Sequence, residues 1–240
     1  MTRARTIFAM FLATALLAGC ALPGGHQPAR SGSGLLGPAA DNSLADTNNK
    51  LGGVHLTLIR DMLANGQYYA ALAHIQAARQ DAGPGNLQLR LLEADTRRNL
   101  GQNKHAEKLY LSLLGTAMNG QALHGLGLLR AHQGNLPQAI ADLEKAAQEL
   151  PTKADIRNDL GYALMQAGNY QAAFPQLSTA AELQPHAMRS RRNLIILMYL
   201  MGRPTDAARL GAKSGLDHAQ LQQLEQQART MQNQQSHVAG

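Results

Sequence analysis

The residues able to do chemistry are few and dispersed. The chain has one cysteine, Cys20, and nine histidines. No two histidines take the His-Glu-x-x-His spacing that sets a zinc pair on one helix face, and one cysteine cannot complete a site. A glycine-rich loop ending in Lys-Ser or Lys-Thr, the phosphate cradle, is missing too. Asp155 and Asp159 stand four apart on one helix face, an ordinary solvated pattern. The densest cluster is Arg189, Arg191 and Arg192 beside Asn193. Its guanidinium groups could clamp a carboxylate or an acidic peptide, or could form no more than a solvated helix start. Catalysis finds no support, and neither metal nor cofactor is expected.

Cys20 has another use. It closes Leu17-Ala18-Gly19-Cys20, behind a positive start (Arg3, Arg5) and an apolar run from Ile7 to Leu17. These are the three parts of an export signal, and the run is shorter than the roughly 20 residues a spanning helix needs. The four residues resemble a bacterial lipobox. That resemblance implies diacylglycerol on the Cys20 thiol, removal of residues 1–19, and acylation (palmitate) of the new amine. The alternative is an ordinary secretory signal with a cysteine near the cut. By similarity to enteric lipoproteins, Ala21 in place of aspartate implies the outer membrane, on its periplasmic face. A lone cysteine leaves no intramolecular disulfide.

The formal charge is +6, reduced to +4 once Arg3 and Arg5 leave with the signal. A mildly basic balance suits anionic lipid, peptidoglycan or an acidic partner and selects none of them. With no tryptophan and no basic-aromatic interleaving, nucleic acid is not expected as a partner. Residues 20–50 are rich in Gly, Pro, Ser, Ala and Asn and read as a lipidated flexible linker. From Leu51 onward Ala, Leu and Gln dominate and strand alternation is lacking, which predicts helix throughout.

The elements that would position any site are repeats. Leu126, Gly127, Gly134, Ala139, Leu143, Ala146 and Pro151 recur thirty-four residues later as Leu160, Gly161, Gly168, Ala173, Leu177, Ala180 and Pro185. This is the period and residue pattern of the tetratricopeptide repeat (TPR), a pair of antiparallel helices; the alternative is a helical bundle with accidental spacing. Gly127 and Gly161 should let the first helix approach Ala139 and Ala173 on the second. Gly134 and Gly168 should end the first helix, and Pro151 and Pro185 should stop the second from continuing.

Weaker copies flank these two. Leu58, Gly66, Tyr68, Ala71, Ile75 and Ala78 mark a unit near 52–85. Ala94, Gly101, Ala106 and Tyr110 mark one near 87–119, with Glu93 where leucine is expected and one residue too few. Leu194, Met198, Gly202 and Ala207 begin a unit near 188–219 whose second helix, with Gly211 and Ser214, departs from the pattern. A Gln-rich helix, His218–Met231, fits a polar terminal cap. The expected architecture is therefore all-α: a TPR solenoid of about five helix pairs over 51–219, with a capping helix and disordered tail over 220–240.

TPR folds bind along the concave face, lined by the first helix of each pair. Repeat position assigns to it Asp95, Arg98 and Asn99; then His124, Leu128 and His132; then Asn158, Asp159, Tyr162 and Gln166; and last Arg189, Arg192, Asn193, Ile196 and Tyr199. Such a groove would hold an extended or helical peptide through polar side chains. Chaperone-binding TPR proteins clamp a carboxylate with Lys, Asn and Arg; here Gln121, His124 and Asp155 do not reproduce that set. The convex face remains an alternative surface.

The whole chain resembles one family, the TPR lipoproteins (TadD) of tight-adherence (Tad/Flp) pilus systems. The more specific marks are Arg191-Arg192-Asn193-Leu194, Gly202-Arg203, Asp206-Ala207-Ala208 and the closing Leu/Gln helix. The resemblance implies a scaffold in pilus assembly at the outer membrane, with a secretin or another component of the pilus machinery as partner. Another envelope assembly lipoprotein, such as a type IV pilus pilotin or an outer-membrane protein assembly factor, and a regulator of peptidoglycan enzymes remain alternatives.

Overall fold

The computed structural model describes residues 55–82 and 85–238. Residues 1–19, Cys20 and the linker to residue 50 lie outside the described residues. The described residues form helices joined by short turns: α1 (55–64), α2 (Tyr68–Ala82), α3 (Leu87–Asn99), α4 (Asn103–Leu111), α5 (Asn119–His132), α6 (Leu136–Glu149), α7 (Ala154–Gln166), α8 (Tyr170–Leu183), α9 (Met188–Leu200), α10 (Pro204–Lys213) and α11 (His218–Val238).

The turn between the helices of each pair is written in two residues. Gly134 and Gly168 have φ of +79° and +78°, a left-handed conformation that a Cβ would strain. Behind them the Asn135 N–H donates to the Arg130 carbonyl, and the Asn169 N–H to the Leu164 carbonyl, both at 2.9 Å. These bonds satisfy carbonyls left over at the ends of α5 and α7. The same asparagines then cap α6 and α8, their side chains accepting from the Gln138 and Ala172 N–H groups. Pro151 and Pro185 fall in the turns just past α6 and α8.

Close approach of the paired helices centres on Gly127 and Gly161, as the pattern predicts, with one refinement. A Cβ on Gly161 would lie 2.6 Å from Leu177 Cγ and 3.3 Å from the Ala173 carbonyl oxygen. On Gly127 it would lie 2.6 Å from Leu143 Cγ and 3.2 Å from the Ala139 carbonyl oxygen. The tightest contact is thus the leucine side chain, with the backbone at Ala139 and Ala173 next. Leu143, Leu160 and Leu177 are buried in a core that continues through Ile195, Leu197 and Leu224.

Stacking follows a simple rule. The first helices α3, α5, α7, α9 and α11 each touch the next in that series, whereas α4, α6, α8 and α10 have no comparable contact with one another. The first helices therefore line the inner side of the stack. The unit one residue short absorbs the deletion in α4, which is only 9 residues long and gives way to a turn over 112–118. Gly211 also finds its reason: a Cβ there would lie 2.3 Å from Leu221 Cδ2. The departure from the repeat pattern is the seat for α11. That helix runs past the expected Met231 to Val238.

Candidate functional site

The polar residues of the inner face are engaged mainly with one another. At one end Tyr110 of α4 reaches under α3, and its hydroxyl donates to Asp95 Oδ1 at 2.6 Å. Arg98 Nε donates to the same hydroxyl at 3.3 Å. Tyr110 fits because residue 125 is glycine: a Cβ there would lie 2.2 Å from Tyr110 Cε1. Burial raises the Asp95 pKa above 3.8, against the lowering effects of the Tyr110 hydrogen bond and then the Arg98 and His124 charges. Burial, then the Asp95 charge, pushes the Tyr110 hydroxyl up as well, so it stays a donor.

The next link crosses three units. His124 Nε2 of α5 lies 2.8 Å from Asp159 Oδ2 of α7, and Arg189 of α9 donates to Asp159 Oδ1. Beside them Asn193 Nδ2 donates to Asn158 Oδ1 at 2.9 Å. Asn158 and Asp159 are both buried. Repeat position places them in the groove; burial withdraws them from a ligand's reach. They brace α5, α7 and α9 against one another, because a buried carboxylate needs its partners.

The other expected groove residues divide. The exposed Asn99 turns its amide onto its own helix, donating to the Asp95 carbonyl at 2.8 Å. His132 is exposed at the end of α5. Tyr199 is half-buried, and its pKa is raised first by burial and then by Glu225 of α11. Gln166 contributes its backbone carbonyl, which accepts from Gln235 Nε2 at 3.0 Å. Tyr162, Arg189, Arg192 and Asn193 come together, beside α11, in a cleft on the inner face.

That cleft has two lobes of about 350 and 580 Å³ that share Asn193, Ile196, Gln223 and Gln227. One wall is α9 and the other α11, which packs through Leu224 and Ala228. The far end of α11 folds back onto an earlier unit. Gln235 accepts from the Tyr170 hydroxyl and donates to the Met165 and Gln166 carbonyls at the end of α7. Among the described residues no cluster of three or more His, Cys, Asp or Glu could hold a metal ion, and no helix is long and apolar enough to cross a membrane.

Tetratricopeptide-repeat signatures match residues 130–173 and 158–214. A TPR repeat-containing protein of Pseudomonas aeruginosa, PA4299, is 33% identical over 226 residues, covering 94% of this chain and 85% of that one. The chain belongs to the tetratricopeptide-repeat proteins. Solved TPR-like structures share the fold. That of Pseudomonas aeruginosa pilF has a TM-score of 0.61 at 17% identity, covering 80% of this chain and 88% of its own. A thermophilic TPR protein of Thermus thermophilus has a TM-score of 0.56 at 22% identity, covering 75% of this chain and 98% of its own. TPR proteins act as protein-interaction scaffolds and are in general not enzymes, so the inner face of this TPR protein is read as a surface for a protein partner.

Repeat position misses several residues that build this TPR surface. Glu93, the misfit in the leucine position, is buried and accepts from Arg79 of α2 and from Arg97 Nε at 2.8 Å. Asp142 of α6, also buried, accepts from Arg130 of α5; burial raises its pKa and Arg130 opposes the rise. Gly125, Gln223, Gln227 and Gln235 carry no repeat mark. Gly125 alone had a signal, a second glycine two residues before Gly127 on a helix that gains nothing from it in propensity.

Proposed function

We propose that this chain is an outer-membrane lipoprotein, anchored through Cys20 on the periplasmic face. It acts as a non-enzymatic protein-binding scaffold in Flp/Tad pilus biogenesis and aids assembly or connection of the secretin. The observation that carries the scaffold reading is the cleft of the inner face. Asn158 and Asp159, which brace the stack, are buried, while Tyr162, Arg192 and the α11 glutamines stay open for a partner. The pilus assignment is supported by the lipobox-like Leu17–Cys20 and by the Tad-like run from Arg191 to Ala208.

The anchor is part of the mechanism. Lipid confines the scaffold to a plane, and about thirty linker residues set its reach. Binding to a partner in the same membrane becomes effectively intramolecular, so a weak contact suffices. A pull-down from detergent-solubilised envelope tests the assignment. Recovery of secretin or other pilus machinery is expected; recovery of a peptidoglycan synthase or hydrolase without secretin contradicts it.

A further inference from the structure

The α9–α11 cleft narrows the chemistry of the partner, an inference that rests on the scaffold reading above. Its charged lining consists of Arg189 and Arg192, and among the described residues no carboxylate lines either lobe. Arg189 already shares its charge with Asp159 behind it. Arg192 is exposed and has no hydrogen bond or ion pair among the described residues. One guanidinium at the upper end of the cleft is thus uncompensated.

The opposite wall is amide. Gln223, Gln227 and Gln234 stand four and seven residues apart on α11, on the face that lines the cleft. Their side chains have no partner among the described residues. Each amide offers a donor and an acceptor, which is what the backbone of an extended chain requires and a helical ligand, already bonded within itself, does not. Tyr162, Ile196 and Met231 give the lower lobe an apolar floor. From Gln220 to Gln234 the helix rises about 21 Å at ~1.5 Å per residue. At ~3.3 Å per extended residue, that accommodates about six residues of ligand.

We infer that the cleft between α9 and α11 takes an extended segment of a partner protein, with an Asp or Glu side chain on Arg192 and backbone groups on the glutamines of α11. Charge complementarity commits the occupant to an acidic segment. Two adjoining lobes that share Asn193, Ile196, Gln223 and Gln227 suit a through-running segment better than a chain terminus.

The test pans the full-length lipidated protein, in detergent micelles, against a displayed random octapeptide library. Enriched peptides are expected to share an Asp or Glu at one fixed position. Synthetic labelled copies should bind the wild type and lose about tenfold or more with Arg192→Glu, the loss of one charge-assisted contact. Replacing the acidic residue of the peptide by Lys should restore affinity for that variant, a reciprocity that mere unfolding cannot produce. Enrichment without an acidic preference, or affinity unchanged in Arg192→Glu, overturns the acidic site and leaves the scaffold reading standing. If no peptide enriches, the inference falls, and the envelope pull-down decides the scaffold reading separately.

Discussion

Asp159 and Asp95 organise the inner face, and they do so oppositely. Asp159 joins His124 and Arg189 from two other units, so Asp159→Ala should unfasten three helices at once. The exposed Arg189 can rehydrate, which limits the loss to about 1–3 kcal/mol; chemical denaturation checks it. Asp95 instead carries a burial penalty that raises its pKa above 3.8. The native state therefore takes up a proton at higher pH than the unfolded chain does. Relative to Asp95→Asn, the wild type should gain stability as pH falls from neutral through the raised pKa, fully below about 3.8, and lose it as pH rises again. Urea unfolding of both proteins across that range gives the slope; a constant difference would refute the penalty. Arg79, Arg97 and Glu93 belong to the same scale: a carboxylate in a leucine position is tolerated because two guanidiniums follow it in.

The elements show what a sequence can and cannot reveal. Gly161→Leu should overpack α7 against Leu177 and cost about 1–3 kcal/mol, read as a lowered thermal midpoint. That position was legible because its partner Leu177 recurs with it at a fixed period. Gly125→Ala should be comparably costly, since its Cβ would meet the Tyr110 ring at 2.2 Å, and should loosen the Tyr110–Asp95 hydrogen bond. This contact joins two neighbouring units through a glycine and a tyrosine that do not recur together, so no period announces it. The helix pairs, their turn glycines and their boundaries follow from local rules repeated along the chain. The Gln235 contacts with α7 and Tyr170 do not, because they join residues 65 to 70 apart through one side chain. Repeat position places the buried Asn158 and Asp159 in the groove; only the packing of α5 and α9 against α7 shows that they face neighbours. Deleting α11 should uncover the inner side of α9, which Leu224 and Ala228 of α11 cover, giving a protein that aggregates, as static light scattering would show. A terminal repeat without its polar cap has no other outcome.

At the scale of the molecule, the stack has a built surface and little chemistry of its own. What it meets is then decided by where it is held, which is the role proposed for Cys20 and the residues that follow it. Cys20→Ala should leave the helical signal and thermal midpoint of residues 55–238 unchanged while abolishing membrane fractionation and pilus assembly. Full assembly with that soluble variant would reduce the anchor to an address. The working surface proposed for the partner is the inner face between α9 and α11. Its most direct test is photocrosslinking in cells, with a benzoylphenylalanine at Gln223 in the cleft and, in a second strain, at Gln148, exposed on the outer helix α6. A secretin-sized adduct, confirmed by mass spectrometry, is expected from Gln223 and none from Gln148. Adducts from Gln148 alone would contradict it and move the working surface to the convex side.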